Sequence, residues 1–96
     1  MSKAISLFSQ KATIPTNILV QELGGEIVIL NLDNESYYSL NKVGSKMWEL
    51  LKENENLETI TQQLLRIYNV EEKVLRQDIA ILIDELVAEG LLTLHS

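Results

Sequence analysis

Residues able to do covalent or acid–base chemistry are scarce in these 96 amino acids. There is no cysteine, which removes thiolate nucleophiles, disulfides and cysteine-held metals together. The one histidine, His95, is the penultimate residue and reads as a frayed terminal side chain rather than a base or a ligand. Carboxylates are plentiful, but the adjacent pairs Glu71-Glu72 and Asp84-Glu85 lie in helical sequence. Helical neighbours diverge by about 100° and form no catalytic dyad. No glycine-rich phosphate loop is present either. The chain is expected to hold no catalytic group, no metal and no cofactor. What remains is recognition. The best-placed residues are Tyr37-Tyr38-Ser39-Leu40-Asn41, followed by Gly44 and Trp48, a short strand running straight into a capped helix. A strand that closes a meander has one unpaired edge, and its backbone N–H and C=O groups can receive an extended peptide.

The elements that must position this edge can be read from period and punctuation. Asn17 to Leu23 and Glu26 to Leu32 are β-rich runs separated by Gly24-Gly25, a loop that supplies the positive φ angles of a tight hairpin. Asp33-Asn34 is expected to make the second turn, with Asn34 tolerating the left-handed region, and Ser36 to Leu40 the third strand. Connections this short give a three-stranded antiparallel meander. From Asn41 the period becomes helical, with Val43, Met47, Leu50 and Leu51 on one face and Asn41 as N-cap. Gly44 inside that helix marks a close backbone approach. Asn56 caps a second helix carrying Leu57, Ile60, Leu64, Ile67 and Tyr68. A third runs from Glu71 to Glu89 and stops at Gly90, after which Leu91 to Leu94 folds back onto the core. Trp48 reads as core. The fold class is α+β, three strands followed by three helices, over residues 14–96, with a loose tail over residues 1–13.

Composition narrows the partners. The chain is 46% hydrophobic and 23% charged, which is globular, and 96 residues make one domain. The longest apolar run, Ile79 to Ile83, is far short of a membrane span, and no signal-peptide core precedes Thr13, so a cytoplasmic protein is expected. A net charge of −6 opposes nucleic acid and anionic membrane.

The third helix carries more apolar residues than one stripe needs. Leu75, Ile79, Leu82, Ile83 and Leu86 form a core-facing stripe, while Val74 and Ile81 fall outside it beside Asp78 and Glu85. Either the helix is packed on two sides, or it lines a half-exposed apolar groove with an acidic rim beside the strand edge. In the second case a ligand strand laid along Ser36, Tyr37, Tyr38, Ser39 and Leu40 would reach Val74, Leu75, Asp78, Ile81 and Leu82 with alternate side chains. Asp78 could then accept a hydrogen bond from the ligand. By parity, Tyr38 lies on the core side with Leu40, and Tyr37 faces away.

At this point the chain resembles the PqqD-like proteins, the small recognition elements that bind precursors of ribosomally synthesised and post-translationally modified peptides (RiPPs). The resemblance covers residues 14–92. It rests on Gly25-Glu26, Tyr37-Tyr38-x-Leu40-Asn41-x-x-Gly44, Trp48-x-Leu50-Leu51, Tyr68-Asn69-Val70, Asp78-x-x-x-Leu82-x-x-x-Leu86 and Gly90-Leu91-Leu92. It implies a winged-helix-like fold. It also implies a leader peptide added as a strand beside the third strand and packed on the last helix, and recruitment of a radical S-adenosylmethionine enzyme or a leader peptidase. Free-standing members serve pyrroloquinoline quinone and lasso-peptide biosynthesis, and the Gly24-Gly25-Glu26 and Met47-Trp48-Glu49 context is closer to the lasso branch. Asn34-Glu35 departs from the Thr-Gly-like pair often found in the second turn.

Two other functions compete with a peptide-binding adaptor. A winged-helix DNA-binding regulator would need Glu71 to Glu89 as recognition helix, where Lys73 and Arg76 face six carboxylates, a net charge of −4. A small homodimeric scaffold would use the same strand edge to pair with a second copy.

Overall fold

The computed structural model describes residues 6–95. Its main sheet is an antiparallel meander of β2 (Ile18–Leu23), β3 (Glu26–Asn31) and β4 (Tyr37–Leu40), preceded by a short β1 (Lys11–Thr13). Three helices follow: α1 (Lys42–Leu51), α2 (Leu57–Ile67) and α3 (Glu72–Ala88). The chain ends in β5 (Thr93–His95), which pairs antiparallel with β1. Three strands then three helices is the order expected from the period changes.

The hairpin turn between β2 and β3 has positive φ at both glycines, 61° at Gly24 and 87° at Gly25. The register Leu23↔Glu26 through Ile18↔Asn31 turns Ile27, Ile29 and Asn31 inward. The second turn differs from expectation. The left-handed residue is Glu35, at φ 63°, and not Asn34. Asn34 and Asn31 act through their side chains instead. Asn31 Oδ1 accepts from the backbone N–H of Asp33 (2.8 Å) and Asn34 (3.2 Å), and Asn34 Oδ1 accepts from the N–H of Ser36 (2.8 Å).

Two of the three helices start at an asparagine cap. Asn41 Oδ1 accepts from Gly44 N–H at 2.8 Å, and Asn56 Oδ1 from Thr59 N–H at 3.0 Å. α3 ends at Gly90, whose φ of 74° lets Leu91 N–H return to the Leu86 carbonyl at 2.8 Å. Asn31 Nδ2 donates to the Gly90 carbonyl at 2.8 Å, joining the sheet to the end of α3. One core forms from Ile27, Ile29 and Leu40 of the sheet with Trp48, Leu64, Ile83, Leu86 and Leu91. Trp48 is fully buried, as expected.

The tail expected over residues 1–13 is a correction in its second half; its residues 1–5 lie outside the described residues. Leu7–Ser9 forms a 3-10 turn, Ala12 is fully buried, and Ala12 N–H donates to the Glu55 carbonyl at 2.8 Å. The Phe8 ring lies 4.7 Å beneath the Arg76 guanidinium. His95 is likewise not frayed. It sits in β5, and its Nε2 is 2.8 Å from Thr13 Oγ1. Three-residue strands whose partners lie about eighty positions apart leave no local period to read.

Among the described residues no helix is long and apolar enough to cross a membrane.

Candidate functional site

β4 is an edge. The sheet order β2-β3-β4 leaves its far side without a strand partner among the described residues. Asn31 N–H donates to the Ser36 carbonyl at 2.8 Å, and this bond sets the alternation along the ladder. Tyr38 and Leu40 therefore turn their backbone groups toward β3, whereas Tyr37 and Ser39 turn N–H and C=O outward, two residues apart. Side chains alternate the other way. Leu40 is buried and Tyr38 half-buried on the inner face, while Tyr37 is 70% exposed.

Facing this edge is α3. Val74 is 46% and Ile81 59% exposed, so the helix is not packed on two sides. A cleft of about 350 Å³ opens between β4, the start of α1 and α3, floored by Leu40, Met47, Leu75 and Ile79 and flanked by Val43, Val74 and Ile81. α1 comes close to both β4 and α3 because Gly44 has no side chain. A Cβ there would stand 3.2 Å from Leu82 Cδ2 and 3.3 Å from Leu40 Cδ2. A second, shallower depression continues along β4 past Ser36 and Tyr37 to Glu85, Ala88 and Glu89. The two share Tyr38, Ser39 and Glu85.

Where they meet, the Tyr38 hydroxyl donates to Glu85 Oε1, tying β4 to α3. Donating to Glu85, with burial and the nearby negative charge adding to it, pushes the Tyr38 phenol above its usual pKa. Carboxylates line both depressions: Asp78 and Glu85 in the first, Glu35, Glu85 and Glu89 in the second. No lysine or arginine lines either.

Every residue expected at the site lines one of these depressions. Tyr38, Ser39, Leu40, Val74, Leu75, Asp78, Ile81 and Leu82 line the first, and Ser36 and Tyr37 line the second. Sequence reasoning missed Val43, Val70, Glu35 and Glu89 as lining residues. A signal existed for Glu89, which follows Glu85 by one helical turn on the same face. Glu35 had none, because the turn that carries it is set by Asn31 and Asn34.

Of the two cations on α3, Arg76 is committed, bonding Glu58 at 2.8 and 2.9 Å and Glu72 at 2.8 Å.

The family model for coenzyme PQQ synthesis protein D (PqqD) matches residues 26–92. A solved structure described as TbiB1 in complex with the TbiA(beta) leader peptide is similar in fold, with a TM-score of 0.76. It is 28% identical in sequence, over 83% of this chain and 93% of that one. No curated protein matches.

Proposed function

Because the chain belongs to the PqqD family, we propose that it is a non-catalytic adaptor that binds the leader segment of a ribosomally synthesised precursor peptide. The leader adds as a strand to β4 and is presented to a modifying enzyme, either a radical S-adenosylmethionine enzyme or a leader peptidase. The observation that carries this is the outward pair of backbone donors and acceptors at Tyr37 and Ser39, set beside the apolar cleft of α3. Main-chain pairing supplies affinity that tolerates sequence, and the cleft adds selection for alternate side chains. The complex of the similar structure with a leader peptide supports the same use of the fold. The expected setting is the cytoplasm, where precursor and enzyme meet.

Contacts are assigned to Ser36, Tyr37, Tyr38, Ser39 and Leu40 on one wall and to Val74, Leu75, Asp78, Ile81 and Leu82 on the other. The test is an amide NMR titration with the leader half of a short precursor encoded beside this chain. Shifts concentrated in residues 36–40 and 74–82 are expected. Shifts scattered over α2 and β5 instead would place recognition elsewhere. A second copy on the same edge would appear in sedimentation as a dimer that dissociates when leader is added.

A further inference from the structure

The Tyr38–Glu85 contact stands where two compartments of the groove meet, and the number of carboxylates differs between them. On the α1 side the walls are Val43, Val70, Val74 and Ile81, with Asp78 the one carboxylate besides the shared Glu85. On the other side they are Ser36, Tyr37 and the carboxylates of Glu35, Glu85 and Glu89. The acidic compartment is held in place by the asparagine network. Asn34 Nδ2 donates to the Glu89 carbonyl at 3.3 Å, and Asn31 Nδ2 to the Gly90 carbonyl at 2.8 Å. The turn carrying Glu35 is thereby fastened to the end of α3 that carries Glu89. A Cβ at Gly90 would stand 3.1 Å from Asn31 Nδ2, so the fit at this junction is close.

Resting on the strand-addition reading above, we infer that the leader carries a lysine or arginine that lies between Glu35, Glu85 and Glu89, four residues from the apolar side chain that fills the α1-side cleft. The spacing follows from the ladder. A strand added along β4 presents alternate side chains to the groove, so both anchors fall on positions of the same parity. Of the inward-facing positions along this edge, Leu40 lines only the first compartment, Ser36 only the second and Tyr38 both, which sets the two anchors about 13 Å apart at roughly 3.3 Å per residue. That is the separation of positions i and i+4 on the added strand, with strand polarity deciding which anchor comes first. The sign of the charge follows from the lining. Three carboxylates line it with no lysine or arginine beside them, so a basic side chain is attracted and an acidic one repelled. Lysine and arginine also reach such a site while laying an apolar stem along Tyr38 and Ala88.

The experiment is a selection of displayed random dodecapeptides on the full chain, repeated on the Glu35→Gln/Glu89→Gln double variant. Both changes keep side-chain size, and far-ultraviolet circular dichroism checks that the variant is folded. Selected sequences are expected to share an apolar residue with lysine or arginine four positions away. The variant should bind the best of them about three- to tenfold more weakly, the range of one to two partly exposed ion pairs. The wild-type Kd should rise between 50 and 500 mM NaCl, by about the same factor, as screening removes that attraction. Peptides selected without a basic residue at that spacing, or bound equally by the variant, would overturn the inference while leaving strand addition standing. Failure to select any peptide would remove both.

Discussion

The Ser45 hydroxyl donates to the Leu40 carbonyl at 3.1 Å, so the first turn of α1 is bonded to the last residue of β4. The same oxygen accepts from Ile27 N–H at 3.0 Å and thus bridges the final rung between β3 and β4. Ser45→Ala would leave a buried donor and a buried acceptor unpaired, at a cost of about 1–3 kcal/mol. The better helix propensity of alanine returns about 0.5 kcal/mol. The thermal midpoint is expected to fall by about 5–15 °C for a domain of this size. An unchanged midpoint in circular dichroism would mean that Ile27 and Leu40 pair directly once the hydroxyl is gone.

Acid should unpick the joint between α2 and α3. The hydrogen bond from Arg76, helped by Gln62, lowers the Glu58 carboxyl from 4.5 to about 2. A depressed folded pKa contributes stability that is complete above the unfolded value and is lost as pH falls toward the folded one. The stability difference between wild type and Glu58→Gln should therefore be present at pH 7 and shrink between pH 4.5 and about 2. Glu58 is 45% exposed, so screening limits the difference to about 1 kcal/mol. Urea unfolding of both proteins at pH 7, 4 and 3 measures it. A difference independent of pH would show that the pair contributes packing rather than charge.

The strand and helix order was legible because each element carries its own local period and its own punctuation. Gly24-Gly25, Asn41, Asn56 and Gly90 all stand at the boundaries they imply. The groove was legible for a related reason: Val74 and Ile81 exceed what one core stripe can bury. What was not legible depends on contacts between distant residues. β1 and β5 are three residues each and exist only as a pair. Asn31 looks like any polar residue at a strand end, yet its buried amide bonds the turn and the α3 terminus together. Glu35 reaches the groove through that network, so its place could not be read before the fold was known.

Proline at position 39 separates ladder from edge. The Ser39 N–H faces away from β3, so its removal takes no bond from the sheet, and edge strands accept proline. Tyr38, the residue before it, is already extended as proline requires. Ser39→Pro is expected to keep the wild-type spectrum, with a midpoint within a few degrees. It should weaken leader binding by about three- to tenfold through loss of one main-chain donor. A variant that unfolds would reverse the register alternation, and one that binds normally would take Ser39 out of the pairing.

Two isoleucines on α3, two residues apart, test whether the groove is recognition surface or residual core. Ile81 is 59% exposed beside Asp78 and Leu82, whereas Ile83 is fully buried. Ile81→Ser removes nothing that the free protein buries deeply, so stability should change by no more than about 0.5 kcal/mol. A leader side chain packed on it would lose about 1–2 kcal/mol of apolar burial, or about 5- to 30-fold in Kd. Ile83→Ser should do the reverse, leaving a cavity and a buried hydroxyl that cost about 3 kcal/mol or more and largely unfold the domain. Calorimetry of leader binding to Ile81→Ser, beside urea unfolding of both variants, gives the comparison. Equal leader affinity in Ile81→Ser and wild type would detach the outer wall of α3 from recognition and leave the edge of β4 as the whole binding surface.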